Sequence, residues 1–73
     1  MIDKRQRSIQ SVEVGGALLA ALAEADCSLG LTDLARRAGL PAAKAHPYLV
    51  SFGNIGLVVQ DRSTGRYDFG PLA

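Results

Sequence analysis

The chain offers very little with which to make or break a covalent bond. It holds one histidine, His46, and one cysteine, Cys27. A single cysteine builds neither a disulfide framework nor a multi-cysteine metal site, and a lone thiol suits a reducing cytosol. There is no G-x-S-x-G elbow, no glycine loop that would cradle phosphates and no metal-ligand cluster. Glu13, Glu24 and Asp26 are too scattered along one helical segment to act as an acid–base pair. No enzymatic activity and no cofactor are expected. What remains is a set of cationic and hydrogen-bonding side chains, Arg36, Arg37, Lys44, His46, Arg62 and Arg66. Their chemistry is the recognition of a polyanion.

The formal net charge of +1 conceals a segregated pattern. Residues 1–10 set Lys4, Arg5 and Arg7 against Asp3, residues 11–26 carry acids alone, and residues 27–67 set five cations against Asp33 and Asp61. Ordinary surface clustering could also produce five cations, so the elements that position them must decide.

Seventy-three residues make one small domain, and 48% hydrophobic content is enough for a core. The opening "MIDKRQRSIQ" is charged, lacks an apolar centre and reads as a flexible basic arm over residues 1–8 rather than a signal peptide. The longest apolar run, "VGGALLAALA", is too short to cross a bilayer. A first helix is expected from an N-cap at Ser11 to about Ala25, with Glu13 in its first turn and Leu18, Leu19 and Leu22 on its apolar face. Gly15 and Gly16 weaken that helix unless another backbone packs closely there. A second helix starts near Leu31 behind Gly30 and buries Leu31, Leu34, Ala35 and Ala38. Gly39 ends it, and Pro41 opens a third helix that runs to Phe52–Asn54. "LVVQD" and "RYDFG" are then strands around an "RSTG" turn, with Tyr67 and Phe69 on one face. The expected fold class is mainly α with a small β-hairpin, a three-helix winged helix-turn-helix.

Two short helices joined by a glycine turn are either a DNA-reading unit or a plain helical corner. Here Ala35 is small at the helix crossing, Gly39 follows in the turn, and Ala45 and Tyr48 fall on the inward side of the third helix. This spacing leaves the outer side of that helix free for a major groove. Its first residues, Ala42, Ala43, Lys44 and His46, are the ones that reach base edges in such a motif. The alanine methyls can meet thymine methyls, while Lys44 and His46 can meet phosphate or base. The amides near Thr32 can hold a phosphate at the start of the second helix. Arg36 and Arg37 point outward, and Arg62 and Arg66 flank a wing that reaches the backbone or minor groove.

In this order, "IQSVE", "LTDLARRAGLP", "AKAHPYLVSF" and "GLVVQDRSTGRYDFGP" resemble the N-terminal domain of the IclR family of bacterial transcription regulators. The resemblance covers Ile9 to Pro71 and implies a winged helix-turn-helix over residues 9–71, with the helix pair about 31–52 and the wing about 57–69. It implies binding of double-stranded operator DNA, as a homodimer through helix 1 and the N-terminal arm, in the cytoplasm. It also implies that Leu72 and Ala73 begin a linker to a separate effector domain, so that a small-molecule effector would act only through a part not contained in this sequence.

The chain departs from that pattern at Pro47, where the family usually carries an arginine expected to contact DNA. Proline removes the cation, removes an amide that would bond the Ala43 carbonyl, and costs about 3 kcal/mol in a helix interior. It also biases His46 toward extended geometry. The usual Ser-Thr pair early in the helix is Ala43 and Lys44 here. The expectation is a third helix that forms but is kinked or loosened at Pro47, held by Tyr48, Leu49 and Phe52. An alternative function is a winged-helix dimerisation or interaction module whose DNA reading is impaired.

Overall fold

A computed structural model describes residues 7–73. The basic arm expected over residues 1–8 therefore lies, apart from Arg7 and Ser8, outside the described residues. Three helices come first, α1 (Gln10–Ala25), α2 (Leu31–Ala38) and α3 (Ala42–Asn54). An antiparallel hairpin follows, β1 (Val58–Gln60) and β2 (Tyr67–Phe69), in the register Val58–Phe69, Val59–Asp68 and Gln60–Tyr67. This is the winged helix-turn-helix architecture.

The apolar spacing of each helix accounts for the core. Leu18, Ala21 and Leu22 of α1, Leu34 and Ala35 of α2, and Ala45 and Leu49 of α3 are buried together with Leu29, Val58 and Tyr67. Leu19, Tyr48 and Phe52 are half-buried and pack against that cluster. Phe69 remains exposed at 38%, lining a surface cleft with Leu22, Ala23 and Asp26 at the end of α1.

Helix ends set the angles between elements. The expected cap at Ser11 is not used: α1 starts at Gln10 behind Ile9, with no side-chain cap, and the amides of Val12 and Glu13 donate to the Ile9 carbonyl. The opening turn is closed by backbone alone, so the polar side chain of Ser11 is not required. Between α2 and α3, Gly39 takes φ 76°, and the amides of Gly39 and Leu40 close back on the carbonyls of Arg36 and Ala35. A side chain at that φ would be strained, which is why the sharp turn needs glycine. Pro41 is the residue before α3 rather than its first turn, and its carbonyl accepts from Lys44 and Ala45.

Two expectations about helical weak points change. A Cβ on Gly15 would lie 2.7 Å from the tip of the Phe52 ring, so an aromatic side chain, not a backbone, occupies the space that glycine leaves. Gly16 faces open space. At Pro47, α3 continues as one helix from Ala42 to Asn54, and His46 stays helical instead of moving toward extended geometry. Burial of Ala45 and Leu49, one on either side of the proline, holds the chain in its turn. The carbonyl left without a partner belongs to Ala43, which is exposed and can bond to water. Among the described residues, no helix is long and apolar enough to cross a membrane.

Candidate nucleic-acid interface

The outer face of α3 follows from its inner face. Burying Ala45 and Leu49 turns Ala43, His46, Pro47 and Val50 outward at the helical spacing of i, i+3, i+4 and i+7, and all four are exposed. Lys44 stands beside them, also exposed, while Ala42 is half-buried against the core. The face is thus narrow in charge, with two polar heads at its start and methyl and ring surfaces beyond. Val50, 48% exposed, belongs to it and was not singled out from sequence. Its spacing from Ala43 and Pro47 was the available signal.

The start of α3 has no side-chain cap and no acidic residue in its first turn. Its first amides, at Ala42 and Ala43, have no acceptor within the helix. The start of α2 is also without a side-chain cap. Thr32 is exposed there, but Asp33 sits in the same turn and pairs with Arg36 one turn on. Both partners of that ion pair are largely exposed, so Arg36 remains within reach of a second anion. Arg37 is exposed and makes no ion pair with any described residue.

The wing packs against the C-terminal half of α3. Leu49, Val50, Gly53 and Asn54 face Val58, Gln60 and Tyr67 across a cleft of about 240 Å³. At the far end of the hairpin the turn is organised by Asp61. Its carboxylate accepts from the Ser63 amide at 2.8 Å, the Ser63 hydroxyl at 2.7 Å and the Thr64 amide at 3.2 Å. The Ser63 hydroxyl first, then the two amides, hold the Asp61 carboxyl below the ordinary carboxylate range. Gly65 then turns back at φ 74°, and its carbonyl accepts from the Gln60 side chain. Arg62 rides on this turn, exposed, with no described side-chain partner.

The expectation for Arg66 changes. It does not stand free beside Arg62, because its Nε donates to Ser28 Oγ at 3.0 Å and its Nη2 to the Ser28 carbonyl at 2.6 Å. The next residues continue the junction: the Leu29 and Tyr67 amides exchange hydrogen bonds with each other's carbonyls at 3.0 and 2.7 Å. The connector between α1 and α2 is therefore joined to β2 by a single antiparallel bridge at Leu29. Ser28 and Asp61 were missed from sequence. The D-x-S-T order signals an Asp-organised turn, whereas nothing local to Ser28 announces a partner 38 residues away.

The geometry agrees with three comparisons. Residues 11–62 match the IclR helix-turn-helix domain. Over 64 residues the chain is 42% identical to the glycerol operon regulatory proteins of Streptomyces coelicolor and Streptomyces griseus, covering 88% of this chain and 25% of each relative. It thus spans about a quarter of the length of the curated relatives it matches. Among solved structures, Pseudomonas aeruginosa HmgR superposes with a TM-score of 0.79 at 44% identity, over 85% of this chain and 26% of that one. An IclR family transcriptional regulator from Brucella abortus superposes with a TM-score of 0.82 over 93% of this chain and 26% of that one. At 19% identity the Brucella likeness speaks for the fold alone.

Proposed function

The chain belongs to the IclR helix-turn-helix family, and from that premise we propose that it is a DNA-binding module of a bacterial transcription regulator, acting in the cytoplasm on double-stranded operator DNA. One observation carries the reading: α3 is anchored from beneath by Ala45 and Leu49 and presents Ala43, Lys44, His46 and Pro47 outward as a continuous exposed face. Helix N-terminal residues on such a face reach base edges when the helix enters a major groove.

In this reading Lys44 and His46 meet phosphate or a base edge and the Ala43 methyl meets thymine, while Ala42, half-buried against the core, drops out of the base-reading set expected from sequence. The amides around Thr32 take a phosphate at the start of α2. Arg36, Arg37 and the wing's Arg62 position the domain on the backbone rather than reading sequence. Pro47 contributes shape and no charge where the family resemblance implies an arginine. The unit that binds is residues 9–71, and it pairs as a homodimer through α1 and the preceding arm. An apolar groove of about 480 Å³ along Val12, Gly16 and Leu19 of α1, floored by Tyr48 and Phe52, supports that pairing. The same groove favours a second reading, a winged-helix interaction module that no longer reads DNA.

Selection of bound duplexes from a random pool, at low and moderate salt, separates the two. The first reading expects an enriched palindromic site and an affinity that falls steeply as salt rises, through counterion release. The second expects no enrichment and no salt-dependent retention on duplex DNA.

A further inference from the structure

We infer that Arg66 is not a DNA ligand but a positioning residue that clasps the wing to the α1–α2 connector through Ser28, and that wing placement depends on this pair. The inference rests on the DNA-binding reading above.

The chain places a charged, five-donor side chain at the base of the wing, where a phosphate contact would be the simple expectation. Two of its five donors are already committed. The Nε and Nη2 donors form the side-on edge of the guanidinium, the edge that grips a carboxylate or phosphate with two parallel bonds. Both donate to one residue, at 3.0 Å to Ser28 Oγ and 2.6 Å to the Ser28 carbonyl. The backbone of Arg66 is fixed as well. Its carbonyl accepts from the Asp61 amide at 2.8 Å, and its amide donates to Thr64 Oγ1 at 3.2 Å. Immediately beyond, the two-way Leu29–Tyr67 bridge joins residues that are each 4% exposed.

Residue 66 is thus where the polar turn, the connector and the core meet. Apart from its packing on α3, the wing is short. β1 and β2 are three residues each, and of the six only Val58 and Tyr67 are buried. An isolated two-stranded hairpin is marginal in water. The bridge at Leu29, held shut on its exposed side by the Arg66 fork, turns the hairpin into a fixed wing. A fixed wing holds Arg62 in one place relative to α3.

The test compares Ser28→Ala, Arg66→Lys and Arg66→Ala with the parent chain. Without DNA, amide exchange at Leu29 and Tyr67 is read by NMR. With DNA, affinity for a duplex is read against salt. The clasp predicts about fivefold faster exchange at both amides in Ser28→Ala, the equivalent of one net hydrogen bond of about 1 kcal/mol, because the bond to the residue 28 carbonyl survives. Arg66→Ala loses both bonds and exchanges faster still, and Arg66→Lys, which cannot reproduce the two-donor fork, also exchanges faster than the parent. It predicts a drop in affinity for all three, about twofold for Ser28→Ala and about fivefold for Arg66→Ala, with an unchanged salt slope. Combining Ser28→Ala with Arg66→Ala adds nothing further. A phosphate role predicts instead that Arg66→Lys keeps its affinity, Arg66→Ala lowers the slope by about 1 and Ser28→Ala is silent; that result overturns the inference. Should no variant or parent bind duplex DNA, the DNA reading fails, and the exchange data still decide whether the clasp exists.

Discussion

The outer face of α3 and the wing meet the same proposed partner but differ in how much of their placement comes from burial and how much from hydrogen bonds. α3 is placed by burial. Ala45 and Leu49 are 0% and 2% exposed, and the polar residues on its outer side contribute nothing to holding it. The wing is anchored in the same core by one buried residue per strand, Val58 and Tyr67, and the rest of it is set by hydrogen bonds, with Asp61 organising its tip and Arg66 tying its base to Ser28. The difference teaches that cations visible in a sequence are not all cations available to a ligand. α3 has few charges and keeps them free, whereas of the two wing arginines only Arg62 has no described side-chain partner. It also separates the levers: packing changes should act on α3, and pH should act on the wing.

The largest effect should come from Leu49→Ala. Removing a fully buried leucine costs about 2–5 kcal/mol, against a total of about 5 kcal/mol for a domain of this size. Thermal melting should show the midpoint lowered by roughly 10 °C or more; a near-normal melt would mean that burial does not place α3. Next is Pro47→Arg, which restores an amide to the Ala43 carbonyl and adds a cation to the exposed face. Relief of part of the roughly 3 kcal/mol penalty for an internal proline should raise the melting temperature by roughly 10 °C. Duplex affinity should rise with it and the salt slope steepen by about 1. No change in either would show that α3 neither strains at Pro47 nor faces DNA there.

Arg62→Ala should leave the melt unchanged and lower the salt slope by about 0.9, with an affinity loss roughly uniform across sequences. A sequence-dependent loss would move Arg62 from the backbone to a base edge. The smallest effect concerns Asp61. Its folded pKa is depressed, so its contribution is fully present above the ordinary carboxylate value of about 4 and is lost as pH falls through the lower folded value. Amide signals of Ser63 and Thr64 should therefore broaden or shift below about pH 4 while those of α3 hold. Asp61→Asn should remove that pH dependence.

Much of the fold could be read from local pattern. Gly39, Ala45 and the period of Leu34, Ala35 and Ala38 are short-range signals, and the helix pair followed from them. The hairpin was legible because Val58, Val59 and Tyr67 flank a turn with Gly65. Other features depended on long-range geometry. Gly15 looked like a gap for a backbone, and only the placement of Phe52 shows that a ring fills it. By local pattern the proline should kink or loosen a helix that still forms and push His46 toward extended geometry, but tertiary burial on both sides outweighs the local preference of His46. Arg66 looked free, because its partner is 38 residues earlier in a connector that carries no recognisable motif. The candidate site was thus legible as a list of cations and less so as a surface, since availability is decided by neighbours and not by residue type.

The central claim is that the exposed face of α3, together with the start of α2 and the wing tip, is what a duplex meets. Amide chemical-shift mapping during titration with a selected duplex tests it most directly. The account predicts perturbations at Thr32, at Ala42 through His46, and at Arg62, with little change along Val12, Gly16 and Leu19. Perturbations confined to the α1 groove, or none at saturating duplex in dilute buffer, would contradict it.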